Sequence, residues 1–242
     1  MLYYNLIYFI PALAVFINLN QYHKNSKYFE YSFLLLIILL VGLRYQIGGD
    51  WIWYERNYKT YGEINLITNF NYTFNYGYVI INHLFYNLGL DYYYVNIFFS
   101  FILVFSINFF INTFKLDKFL SYCIFFPVGI LVVGMGFVRQ GCAMSFMLIS
   151  LSFLKKEKQL FSFIFIMLGI TFHKSLIIFF PVIFLFFNNL YKFIIILFSF
   201  IFISLFYNDF IKLLNIYLGS RKNIDFDPSK GAFVRIMMSV IP

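Results

Sequence analysis

Long apolar runs separated by short polar clusters organise the chain. Read in order, the runs cover residues 2–19, 28–47, 92–114, 119–138 and 141–154, followed by shorter ones at 160–172, 175–187 and 193–207. At about 1.5 Å of rise per residue, the longer runs fill a hydrocarbon core ~30 Å thick, whereas the 13-residue runs reach only about 20 Å. Short pieces of this kind are expected where helices stop at mid-depth around a cavity lined by protein. Residues 77–90 are moderately apolar but carry Asn82, His83 and Asn87. They are expected to form an amphipathic or re-entrant helix inside a long loop. The pattern predicts an all-α, polytopic helical membrane protein with several short or broken spans and a long external loop. Residues 1–242 form one multi-pass transmembrane domain in this reading, with about eight spans plus the start of another. The last apolar run has only begun at Pro242, so a further span is expected beyond it.

Composition removes the soluble classes. With 62% hydrophobic and only 12% charged residues, against roughly 25% charged in an average globular chain, no soluble catalytic domain fits between the runs. The net charge of +8 does not mark a nucleic-acid binder, because the basic residues never run longer than Lys155-Lys156 and sit where membrane loops must be. Cys123 and Cys142 lie inside apolar segments, so neither a disulfide framework nor a thiolate metal site is proposed from the sequence. The first run lacks a basic start and a small-residue cleavage pattern, and is expected to stay as a helix.

Charge then suggests orientation. The short loops at 20–30, 115–118, 155–159 and 188–192 hold eight of the eighteen basic residues, all lysines. The positive-inside rule makes them cytoplasmic. The opposite, external side receives the loop 44–77, the turn at Arg139, the turn at His173-Lys174 and the loop 208–235. All five arginines (Arg44, Arg56, Arg139, Arg221, Arg235) fall there. Residues 160–187 can also be drawn as one tilted helix with His173 and Lys174 inside it. An ammonium at mid-bilayer costs at least ~2.5 kcal/mol, which favours the hairpin.

Three segments carry candidate chemistry. In the first, Gly42-Leu43-Arg44-Tyr45 leads into Gly48-Gly49-Asp50 and Trp51-Ile52-Trp53-Tyr54. Its structural reading is a snorkelling arginine, a glycine turn and an interfacial tryptophan belt. Its functional reading has Gly48 and Gly49 admitting an anionic headgroup, Arg44 binding it and Asp50 taking a proton or orienting a hydroxyl. In the second, Gly134-Met135-Gly136-Phe137-Val138-Arg139-Gln140-Gly141 places Arg139 between spans with almost no loop. Small residues there suit close helix packing, and an arginine held by two helices also suits a phosphate clamp, since the planar guanidinium binds phosphate bidentately. In the third, Phe172-His173-Lys174-Ser175 breaks an apolar stretch with a histidine whose ordinary pKa near 6.5 suits proton transfer. No zinc-type spacing or nucleotide fingerprint occurs, and His23 and His83 are read as structural.

These segments together resemble the EpsG family of exopolysaccharide proteins, related to the Wzy-type O-antigen and capsule polymerases. The resemblance rests on Gly42-Leu43-Arg44-Tyr45 with Gly48-Gly49-Asp50 and Tyr54, on Val138-Arg139-Gln140-Gly141 with Ala143, and on Phe172-His173-Lys174-Ser175. Ser229-Lys230-Gly231-Ala232 with Arg235 looks like a later external motif of that family. Gly49 and the segment Asn75-Tyr76-Gly77-Tyr78 depart from its pattern, the first where a threonine is frequent and the second by lacking an acidic residue. The resemblance implies a polymerase of the bacterial cytoplasmic membrane that needs no metal, nucleotide or other cofactor. It would join undecaprenyl-pyrophosphate-linked oligosaccharide repeats on the external face. The implied partners are that lipid-linked glycan, the bilayer, chain-length regulators and other assembly proteins. Arg44, Arg139 and Arg235 are then the expected pyrophosphate or donor binders, helped by Lys174, Gly48 and Gly49, with His173 or Asp50 as proton acceptor. A non-catalytic transporter of lipid-linked oligosaccharide would use the same arginines but needs a continuous polar path. An envelope scaffold subunit would need none of them.

Overall fold

The computed structural model describes residues 2–16, 25–48, 50–64, 75–179, 183–184, 186–189, 191–192 and 196. Met1–Phe187 pack as one compact unit. The second unit, Asn188–Pro242, lies almost wholly outside the described residues, as do Arg235, the expected loop 208–235 and, in the first unit, Gly49.

The described residues are helical and include no strand. In chain order they form α1 (Leu2–Phe16), α2 (Asn25–Gly42), α3 (Trp51–Glu63), α4 (Tyr76–Asn87), α5 (Tyr92–Phe114) and α6 (Lys118–Phe125). A π-helical segment (Phe126–Gly136) continues α6; α7 (Val138–Lys155), α8 (Gln159–Phe172) and a 3-10 turn (Lys174–Phe179) follow. Two helical stretches, Tyr92–Phe114 and Lys118–Gly136, are long and apolar enough to cross a membrane, with shorter apolar helices at Tyr28–Gly42 and Gln159–Phe172. Their outer faces explain the solvent they suit. Leu35, Leu39, Phe101, Phe105, Ile124 and Val128 all point out of the bundle, so the exterior is as apolar as the interior, as hydrocarbon surroundings require.

Helical spacing builds the core. Phe33, Ile37 and Val41 recur every four residues on α2 and meet Leu103, Ile107 and Ile111 of α5, with Phe119, Tyr122, Phe126 and Ile130 closing the cluster. Gly42 lets the two backbones nearly touch, for a Cβ there would stand 2.9 Å from the Ile97 Cα. Pro127 explains the π-helical continuation: it lacks an N–H and its ring collides with the carbonyl four residues back, a clash that wider winding relieves. Three differences from the sequence pattern matter for the site. The run 28–47 stops being helical at Gly42, the loop 44–77 contains the whole of α3, and the run 119–138 breaks at Phe137. Helix α8 also ends at His173, whose backbone is extended, and the following turn folds back so that buried Leu176 packs against Gly169.

At the end of the bundle opposite the arginines, Glu30 is buried on α2. It accepts from Lys118 Nζ at 2.6 Å and from the Tyr122 hydroxyl at 3.1 Å, which staples α2 to α6. Asp117 caps α6 by accepting from the Leu120 amide at 2.9 Å. Removing one partner of a buried pair leaves the other uncompensated, though Lys118 keeps 33% of its side chain exposed. Glu30→Ala is therefore expected to cost about 1–3 kcal/mol, and Leu39→Ala on the outer face less than ~0.5 kcal/mol. Unfolding by sodium dodecyl sulfate titration in mixed micelles measures both.

Candidate functional site

The site is built where α2, α5, the π-helical segment, α7 and α8 have their ends, with α3 and α4 laid across them. Leaving α2, the chain takes positive φ at Gln46 (50°) and Gly48 (105°) before entering α3 at Trp51. Gly48 is obligatory: a Cβ there would collide with the Met135 carbonyl oxygen. Its freedom is spent on packing the loop over the end of the π-helical segment.

Arg44 does not snorkel. Only 4% of it is exposed. Its Nη1 donates to the Gly134 carbonyl at 2.8 Å, its Nη2 makes a longer contact of 3.4 Å to Asn96 Oδ1, and its guanidinium lies 5.6 Å from the Trp51 ring centre. One side chain thus joins the ends of α2 and the π-helical segment to the starts of α3 and α5.

Arg139 stands in the first turn of α7, just after the break at Phe137 (φ −131°, ψ 70°). Its guanidinium lies 4.6 Å from the Trp53 ring centre and 5.6 Å from that of Tyr54, a cation–π shelf made by consecutive residues of α3. Asn75, immediately before α4, accepts from Arg139 Nη1 at 2.8 Å and donates its amide to the Phe172 carbonyl at 3.2 Å. The next residue of α7, Gln140, holds the His173 ring: its Nε2 donates to His173 Nε2 at 3.0 Å. That assignment puts the ring proton on Nδ1, which is buried without a partner among the described residues. The Tyr54 hydroxyl contacts Asp50 at 3.4 Å, a weak bond that brings the carboxylate into the same group.

The shelf is braced from behind. The Tyr58 hydroxyl donates to the Leu90 carbonyl at 2.6 Å, and Gly62 lies directly under the Tyr86 ring, so α3 is fixed to α4 and to the turn before α5. Electrostatics follow from the crowding. Burial raises the Tyr54 pKa, with Arg139 opposing the shift and Asp50 adding to it. For His173, burial lowers the pKa and the positive charges of Arg139 and Lys174 lower it further, so the imidazole is neutral at pH 7.

Of the residues singled out from sequence, Arg139, His173 and Asp50 come together, Lys174 stands exposed beside His173, and Arg44 lies beneath. Sequence spacing does not point to Asn75, and it assigns Trp53 to an interfacial belt. Nothing in that spacing reveals that a residue 64 positions before Arg139 is its partner.

All-helical, with apolar outer faces, this is a membrane protein. The EpsG family matches residues 27–224, and the chain belongs to it: a glycosyltransferase-like polymerase family associated with exopolysaccharide biosynthesis. The matched stretch includes every described residue of the site. No curated protein and no solved structure matches the chain.

Because the unfolded chain binds a proton on His173 near pH 6.5 and the folded chain only at lower pH, this group favours unfolding as pH falls from 6.5 through the folded value. Imidazole carbon-13 resonances in detergent micelles are expected to give a pKa for His173 below 6.5. The value is expected to move upward in Arg139→Gln and in Lys174→Gln, since each removes a like charge.

Proposed function

We propose that this chain polymerises lipid-pyrophosphate-linked oligosaccharide repeats at the external face of the bacterial cytoplasmic membrane, as a multi-pass protein with the arginine end outward. The observation that carries the reading is Arg139, whose guanidinium is oriented by two aromatic rings and an amide while a neutral imidazole stands on the next helix end. Its described partners are uncharged or hydroxylic, so its positive charge remains for an anionic ligand.

In the proposed reaction an acceptor sugar hydroxyl attacks the anomeric carbon of the donor glycan. The bond from that carbon to the pyrophosphate oxygen breaks, and undecaprenyl pyrophosphate leaves with the electron pair. His173 Nε2 takes the hydroxyl proton, in the position that the Gln140 amide occupies in the free chain. Arg139 binds the pyrophosphate and stabilises the charge that grows on it. Lys174 is an additional anion contact. Asp50 acts through Tyr54, keeping the shelf in place, and Arg44 acts by pinning Gly134 ahead of α7. Gly48 serves packing; Gly49 and Arg235 keep the substrate roles expected from the resemblance.

A gel ladder of carrier-linked glycans tests this in cells making the full chain. Arg139→Ala is expected to slow extension by about 10²–10³-fold. Arg139→Lys is expected to shorten the ladder as well, because the charge stays but the planar fork is lost. His173→Ala is expected to lose about 10²–10⁴-fold, while Lys155→Arg at the other end leaves the ladder unchanged. Normal ladders from both Arg139→Ala and His173→Ala would remove these roles. Loss of single repeats from the external face, rather than their accumulation, would favour the transporter.

A further inference from the structure

Beneath the site, α2, α5, the π-helical segment and α7 border a small cavity of about 10 Å³, lined by Arg44, Asn96, Ser100, Gly134, Gly141 and Cys142 together with aliphatic and aromatic side chains. That is room for one water-sized particle, far too little for a phosphate group or a sugar. Arg44 and Asn96 are 4% and 2% exposed, and each has a polar atom without a hydrogen-bond partner: Arg44 Nε and Asn96 Nδ2. Both are N–H donors.

Several acceptors around the cavity already have one donor, and the Tyr92 hydroxyl lies close to both Arg44 and Asn96. The Gly134 carbonyl accepts from Arg44 Nη1, and the Gly141 carbonyl accepts from the Ser145 hydroxyl at 2.7 Å. The single proton of the Ser100 hydroxyl is within reach of the carbonyls of Ile38 and Ile97, at 3.0 and 2.8 Å. A water here could accept from the two donors and donate to a remaining lone pair, but it would leave the guanidinium charge uncompensated. The charge is also unbalanced: among the described residues the salt bridges are Lys59–Glu63 and Lys118–Glu30, and neither involves Arg44. A buried guanidinium with no carboxylate partner among the described residues, beside a second unpartnered N–H donor, suits a small acceptor-only ligand that carries negative charge.

We propose that this cavity is a binding site for one halide-sized monovalent anion, chloride under ordinary conditions, held between Arg44 Nε and Asn96 Nδ2. The anion neutralises the arginine that grips Gly134. It thereby steadies the junction from which α7 carries Arg139, without touching the substrate. The proposal stands whether or not the chain is a polymerase, since its readout is binding-linked stability.

The test is thermal unfolding of the purified full chain in detergent micelles, with sodium chloride exchanged for sodium gluconate at fixed ionic strength. The wild-type midpoint is expected to rise saturably with chloride, and with bromide, as a ligand that binds only the folded state requires. Asn96→Asp supplies the negative charge from the protein itself, so it is expected to lose the chloride response and to be as stable without chloride as the wild type is when saturated. Asn96→Leu removes one of the two donors and is expected to raise the half-saturating chloride concentration at least about tenfold. Equal midpoints in chloride and gluconate for the wild type, the outcome for a cavity holding water alone, would overturn the proposal. So would a full chloride response in Asn96→Asp, or, should that variant not fold, an unchanged half-saturation in Asn96→Leu.

Discussion

A helix that stops inside an apolar layer leaves carbonyls that cannot turn to water, and each needs a donor from the protein. The π-helical segment stops at Gly136, and Arg44 supplies a donor to the Gly134 carbonyl from the far end of α2. Much else depends on that bond. It holds the break that lets α7 restart at Val138, and the restart puts Arg139 into the first turn of a new helix rather than the middle of an old one. The loop carrying Arg44 must then lie flat against the break, which is why Gly48 has no room for a side chain.

Above this junction, orientation without neutralisation is the rule. Arg139 is held by two rings and an amide, and His173 by an amide, so among the described residues neither side chain is paired with a carboxylate. Asn75 is central because it bonds both Arg139 and the Phe172 carbonyl, joining the start of α7 to the end of α8. The lysine end shows the contrary arrangement. There the buried Glu30 is consumed by Lys118 and Tyr122. The two ends of one bundle therefore use charge differently: one pairs its carboxylate with a lysine, and the other orients Arg139 on rings and an amide.

The helical membrane character, the run that became α5 and the three motif segments were legible in the sequence, because each depends on local composition and spacing: apolar length for α5, glycines around Arg139, a polar interruption at His173. So were Arg139, His173 and Asp50 as candidates, since few polar residues interrupt the apolar runs. The tertiary structure alone decided which of them meet. That α3 fills much of the loop 44–77, that Trp53 stacks on Arg139, that Arg44 is buried instead of snorkelling, and that Asn75 is the joint are all outcomes of long-range packing. The physical reason is that hydropathy records how much each residue prefers an apolar surrounding, while a contact between residues 52 or 90 positions apart depends on which helix ends coincide in space.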